Sequence, residues 1–196
     1  MAARRQPFNT CLNLIDIDGA LAPESVKVVR RLSDMRGMYQ DQDAVRRLLD
    51  EGDPLIYVVY NVDVPEEAGE LQHCTSIVYP GHVGDEFFMT KGHFHSKAGT
   101  AEIYLTLRGK GVLLMQTEDG ATATLDMFPG SVSYIPPYWA HRSINVGDEP
   151  LVFFAVYPGD AGHNYGAIED KGFAKIVLAR GGRPAIVDNP RYDDRR

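Results

Sequence analysis

The chain has 196 residues, enough for one domain with its own core, and its hydrophobic (44%) and charged (24%) fractions are those of an ordinary globular protein. A formal charge of −7 argues against a nucleic-acid partner, and no apolar run reaches the roughly 20 residues of a membrane span. Arg4 and Arg5 precede no apolar stretch of signal-peptide length, and Cys11 and Cys74 read as two free thiols of a reducing cytoplasm.

In chain order, residues 1–40 give mixed signals, and 26–32 fit a strand or a helical turn equally. Residues 43–52 are clearer. Asp43 can cap a first turn, Ala44, Val45, Leu48 and Leu49 recur at helical spacing, and Gly52 and Pro54 stop the helix. From residue 55 the pattern changes to short runs rich in Val, Ile, Tyr, Phe and Thr: 55–64, 73–79, 85–95, 101–107, 111–117, 121–127, 131–135, 142–146, 150–157 and 173–179. Gly, Pro, Asn and Asp punctuate them, and 118–120 and 145–150 look like turns. Many short strands without alternating long helices predict an all-β fold, an antiparallel sandwich or barrel. One domain is expected: residues 1–54 as an N-terminal arm with a short helix, 55–180 as the β-barrel core and 181–196 as a tail.

The chemistry concentrates in 90–104, Thr-Lys-Gly-His-Phe-His-Ser-Lys-Ala-Gly-Thr-Ala-Glu-Ile-Tyr. In a strand, residues two apart share a face, so His93 and His95 project together with Phe94 opposite. Glu102, at the start of the next strand, can return to the same interior. His141 follows Pro136 and Pro137, a rigid turn able to aim it inward. Three imidazoles and a carboxylate suit a divalent transition metal and leave up to two positions of an octahedral ion open. His-x-His alone is a weak signal; its combination with Pro-Pro-x-x-x-His in an all-β chain is far more specific.

These residues resemble the two motifs of the cupin superfamily: His93-x-His95 and Glu102-x6-Gly109 for the first, Gly130-x5-Pro136 and His141-x3-Asn145 for the second. Three departures stand out. Phe87 occupies the place of a glycine, six residues separate His95 from Glu102, and Tyr138 replaces a second glycine. The longer segments 31–35, 79–95, 136–142, 157–166 and 171–177 are similar to one branch, the cupin-type glucose-6-phosphate isomerases. That resemblance implies a double-stranded β-helix (an antiparallel jelly-roll barrel) and a homodimer. It implies one divalent metal per subunit, Fe2+ first, with Zn2+, Ni2+ or Mn2+ also compatible.

Thr90, Lys91 and Gly92 form a turn whose hydroxyl and backbone N–H groups can hold phosphate oxygens. The resemblance assigns Ser76, Thr90, Gly92 and Tyr104 to a phosphate end, and Tyr157, His163 and Tyr165 to the sugar. The implied activity is interconversion of glucose 6-phosphate and fructose 6-phosphate, a step of glycolysis and gluconeogenesis. Glu102 would be either the base of an enediol route or only a metal ligand in a hydride shift. An iron-dependent dioxygenase and a non-catalytic sugar-binding cupin are the alternatives from other classes. Mannose 6-phosphate stays open as a substrate, because either C2 epimer gives the same enediol.

Overall fold

The computed structural model describes residues 13–22 and 26–192, so Arg4, Arg5 and Cys11 lie outside the described residues. Two short strands, β1 (Leu14–Ile15) and β2 (Leu21–Ala22), pair with each other. The ambiguous stretch at residue 26 is a strand, β3 (Val26–Arg31). It pairs antiparallel with β4 (Leu55–Asn61), so this part of the expected arm belongs to the barrel wall. The helix between them, α1, spans Gln42–Glu51, and its cap is Asp41 rather than Asp43. The Asp41 carboxylate accepts from the Ala44 N–H at 2.8 Å, which places the cap two positions earlier and leaves Asp43 inside the first turn.

The remaining strands are β5 (Leu71–Val78), β6 (His82–Val83), β7 (Glu86–Phe87), β8 (Glu102–Arg108), β9 (Gly111–Gln116), β10 (Thr122–Met127), β11 (Val132–Ile135), β12 (Ala140–Asn145) and β13 (Leu151–Pro158). After β13 come a short helix, α2 (Gly166–Lys171), and a hairpin of β14 (Lys175–Arg180) and β15 (Arg183–Asp188). The expected tail after residue 180 thus contains a strand; its alternation of exposed and half-buried residues is the weak pattern of an edge.

A six-stranded antiparallel sheet runs β11-β8-β13-β5-β4-β3, and a three-stranded sheet runs β10-β9-β12. Inward side chains of the two, among them Leu151 and Phe153 from the large sheet and Leu113 and Ile144 from the small one, join a single buried cluster. This is the sandwich closed into a barrel that the strand pattern predicts. The segment expected as one long strand, 85–95, is regular only at β7. Beyond it the chain lies along β12 through isolated pairings, Met89 with Ile144 and His93 with His141. Gly92 interrupts it at φ 74°; a β-carbon there would sit 2.7 Å from Phe173 and 3.0 Å from the His141 carbonyl oxygen.

Candidate active site

Period-two alternation on adjacent strands builds one wall of a cavity of about 330 Å3. Glu102 and Tyr104 of β8, Phe153, Ala155 and Tyr157 of β13, Gln72, Cys74 and Ser76 of β5, and Tyr57, Val59 and Asn61 of β4 all face it. The opposite wall is the Thr90–Gly92 turn with His93 and His141, and His163 and Tyr165 close one side. Every site residue expected from the sequence lines this space except His95, which stands behind it and reaches Glu102. The turn is docked on β12: the Thr90 N–H donates to the Ser143 carbonyl at 2.9 Å, and the Ser143 N–H donates to Thr90 Oγ1 at 3.1 Å. That leaves the Thr90 hydroxyl proton for a ligand.

The candidate metal ligands converge. One donor atom each from His93, His95, Glu102 and His141 fall within 4.8 Å of one another. His95 shows why a cation fits. The Thr100 hydroxyl donates to the Lys97 carbonyl at 2.7 Å, so it can only accept from His95 Nδ1, at 2.8 Å. The ring proton is therefore on Nδ1, and Nε2 turns a lone pair toward Glu102 Oε2, 3.1 Å away. Two acceptors that close in a buried site repel unless a positive charge lies between them. His141 Nε2 is 2.9 Å from the same oxygen without hydrogen-bond alignment, and His93 Nε2 is buried with no partner. Burial, then the neighbouring His141, His163 and His95, hold His93 well below its usual pKa, so its nitrogen is neutral and able to ligate. Burial alone raises the Glu102 pKa; without an ion, positive charge on His141 and then His95 outweighs it and brings the carboxyl to about 2.

The cavity is electrically lopsided, with Asp63 and Glu66 on one lining segment and Lys91 on another. A phosphate would therefore seat at the Thr90–Gly92 end. Tyr57, not expected from the sequence, stands there; its hydroxyl meets the Lys91 backbone and Arg30, and burial pushes its pKa up to about 12. The signal was present as alternation in 55–61, but a tyrosine in a strand reads as core. Tyr138, the departure from the glycine motif, adopts φ 70°, so the left-handed turn before His141 survives the replacement.

Comparison with known proteins gives the family. The profile of the glucose-6-phosphate isomerase (GPI) family matches residues 29–194. The chain belongs to the glucose-6-phosphate isomerase family. A glucose-6-phosphate isomerase of Thermococcus gammatolerans is 53% identical over 188 residues, covering 96% of this chain and 97% of the relative. That of Pyrococcus furiosus is 48% identical over 188 residues, covering 96% of this chain and 98% of the relative. Among solved structures, an oxalate oxidase in complex with the substrate analogue glycolate overlaps at TM-score 0.49 and 14% identity, over 60% of this chain and 58% of that one. At that similarity the overlap says nothing about chemistry. Membership of the isomerase family rests on the near full-length identity, which takes in the segments around all four candidate ligands.

Proposed function

We propose that this protein is a metal-dependent aldose–ketose isomerase that interconverts glucose 6-phosphate and fructose 6-phosphate in the cytoplasm, in glycolysis and gluconeogenesis. The observation that carries the reading is the juxtaposition, in one cavity, of a buried His3Glu cluster and a turn with free phosphate-binding donors. His93, His95, Glu102 and His141 would hold one divalent transition metal, Fe2+ in the first instance. Bound there, such an ion supplies Lewis-acid polarisation of the sugar oxygens on C1 and C2.

The chain's own groups do the rest. The Thr90 hydroxyl, the Gly92 N–H and Tyr57 orient the phosphate, with Ser76 and Tyr104 beside them. Binding energy from that remote dianion fixes the reacting carbons against Glu102. Tyr157, His163 and Tyr165 cover the sugar and exclude water. His163 and Tyr165 stack nearly parallel, with ring centroids 5.9 Å apart, so they act as one flat wall. Both imidazole contacts fall on Glu102 Oε2, leaving Oε1 to carry a proton from C2 to C1 through a cis-enediol. A second reading is favoured by one observation. A carboxyl held at about 2 is a weak base, which suits a direct shift of hydride from C2 to C1.

A homodimer is part of the proposal. Ile103, Leu105 and Leu107 point outward from β8 and, with Val132 and Tyr134 of the paired strand β11, form a contiguous apolar face. Val132 is 67% exposed and Tyr134 55%, and a patch of this kind marks an interface. No helix among the described residues is long and apolar enough to cross a membrane.

The test is a coupled assay on both hexose phosphates with metal analysis of the same preparation, before and after chelation and readdition of iron, nickel, manganese or zinc. Activity that follows the metal supports the proposal. Full isomerase activity in metal-free protein, or consumption of oxygen instead of isomerisation, sinks it. Isomerisation in deuterated water decides the route: solvent label at C1 or C2 supports the enediol, and complete retention of sugar hydrogen supports the hydride shift.

A further inference from the structure

Behind the Thr90–Gly92 turn lies a second cavity of about 520 Å3. It shares a single lining residue with the substrate cavity, Lys91. Its walls are the two 3-10 turns before α1, the short helix α2, the first residues after it and the chain near Asn189. Four cationic side chains, Arg36, Lys91, Arg142 and Arg191, face it against two carboxylates, Asp34 and Glu169.

The cations are poorly matched by what surrounds them. Arg142 is only 4% exposed, yet its guanidinium has no carboxylate within ion-pair distance among the described residues. Instead its Nε and Nη2 donate to the Lys91 carbonyl at 3.2 and 2.6 Å, and it lies over the Phe173 ring at 4.5 Å. Glu86, the carboxylate that acts on it from a distance, is itself buried with its pKa raised by that burial. Arg191 donates to the Gln40 side-chain oxygen at 2.9 Å and to the Gly37 and Tyr39 carbonyls, all neutral acceptors. Arg36 donates through Nε to the Ser33 carbonyl at 3.2 Å. Of the two carboxylates, Asp34 accepts from the Arg31 N–H, and Glu169 meets Lys91 Nζ at a long 3.4 Å. A buried guanidinium facing open space with only neutral acceptors is an electrostatic deficit. An oxyanion bearing two charges, with acceptors matched to guanidinium forks, is the ligand that corrects it.

We propose that the second cavity binds inorganic phosphate or a small phosphorylated metabolite, at a site separate from the substrate cavity and coupled to it through Lys91. The coupling has a physical route. Arg142 holds the Lys91 carbonyl, Lys91 lines both cavities, and its Nζ meets Glu169 of the second. An anion in the second cavity draws that ammonium toward itself and away from the substrate phosphate. Occupancy there weakens substrate binding, and by linkage substrate weakens the anion equally.

The anion site does not depend on the assignment of the substrate cavity, whereas its coupling rests on that reading, and a crossed titration keeps the two apart. Full-length, metal-loaded protein is titrated with inorganic phosphate at constant ionic strength, read by calorimetry and by phosphorus NMR. Wild type is expected to bind two phosphates per subunit. Arg36→Ala weakens one of them at least about tenfold, the order expected for one charge-assisted contact, and Arg36→Lys recovers part of the loss. Thr90→Val weakens the other by about tenfold as well. In steady-state kinetics, phosphate raises the apparent KM of wild type by more than simple competition does, the excess levelling off as the second cavity fills, and Arg36→Ala abolishes that excess. Melting curves establish that each variant is folded. If Thr90→Val leaves both phosphates while Arg36→Ala removes one, the second site stands and the phosphate end of the substrate cavity is wrong. One phosphate per subunit, purely competitive and untouched by Arg36→Ala, overturns the proposal. Repeating the titration with glycerol 3-phosphate separates the two sources. Tighter Arg36-dependent binding than phosphate points to a metabolite, and weaker binding points to the inorganic ion.

Discussion

The two faces of β8 invert the usual arrangement of a half-buried strand. Inward it presents Glu102, Tyr104 and Thr106; outward it presents Ile103, Leu105 and Leu107. A strand serving only a core would carry the apolar set inside. The inversion teaches that each face answers to something beyond the packing of its own chain: the inner face suits the proposed ion and polar ligand, and the outer face suits the proposed second subunit. The inward face tolerates its charge only with a positive charge between Glu102 and the imidazoles that face it. The outward face costs solubility unless covered.

Substitutions can break this contrast one face at a time. The largest effect is expected inside. Glu102→Gln keeps the shape but not the base, and turnover falls by about a hundredfold or more, the usual order for a general base. Retained activity in that variant, with no solvent label in the product, would leave the hydride route standing. Next is the outer face. Leu105→Asp together with Val132→Asp places two carboxylates opposite each other in the register of β8 and β11. The dimer is expected to weaken by about a hundredfold, consistent with loss of two buried aliphatic side chains, measured by sedimentation. An unchanged association constant would remove this face from the interface.

Smaller effects sharpen the picture. Thr90→Val is expected to lower kcat/KM for the hexose phosphates about tenfold, as for one hydrogen bond to a charged group, while metal content stays unchanged. Equal turnover of glucose and glucose 6-phosphate would refute the phosphate end. The smallest is a pH effect on the metal-free protein. His93 has a folded pKa below its ordinary 6.5, so its contribution to stability is present above that pH and is lost as pH falls through it. Glu102, lowered from 4.5 to about 2, contributes stability that is present above 4.5 and lost as pH falls toward 2. The melting temperature of metal-free protein should therefore drop by a few degrees between pH 7 and pH 5, on the order of one kcal/mol for a small domain. His93→Gln should flatten that slope.

Much of the site was legible because extended backbone encodes faces locally, even where, as at 90–95, it pairs only through isolated bridges. His93-x-His95, the return of Glu102 and the Pro136-Pro137 turn before His141 required only period-two counting and a rigid bend. The same counting placed Tyr104 on the face of Glu102. Tyr57 escaped it, because a tyrosine alternating with valine in 55–61 has the same pattern whether it lines a cavity or a core. Thr100 escaped because its role, fixing the His95 proton, depends on a turn that folds it back onto the ring. The strand at residue 26 and the hairpin strand at residue 183 were ambiguous or missed because edge strands bury little and so carry a faint alternation.

The sequence by itself determined the all-β class and the four residues that converge into a cluster able to hold a metal. Each of these depends on neighbours in the chain: alternation, proline and glycine placement, and ligand type. Only the tertiary structure decided which strands stand beside which, and hence that β4 and β5 complete the cavity wall. It also decided that Arg142, adjacent in sequence to a candidate metal ligand, turns to the other side of its strand and faces a second cavity. Period two sends neighbouring residues to opposite faces, but what waits on each face is set by chain segments far away in sequence.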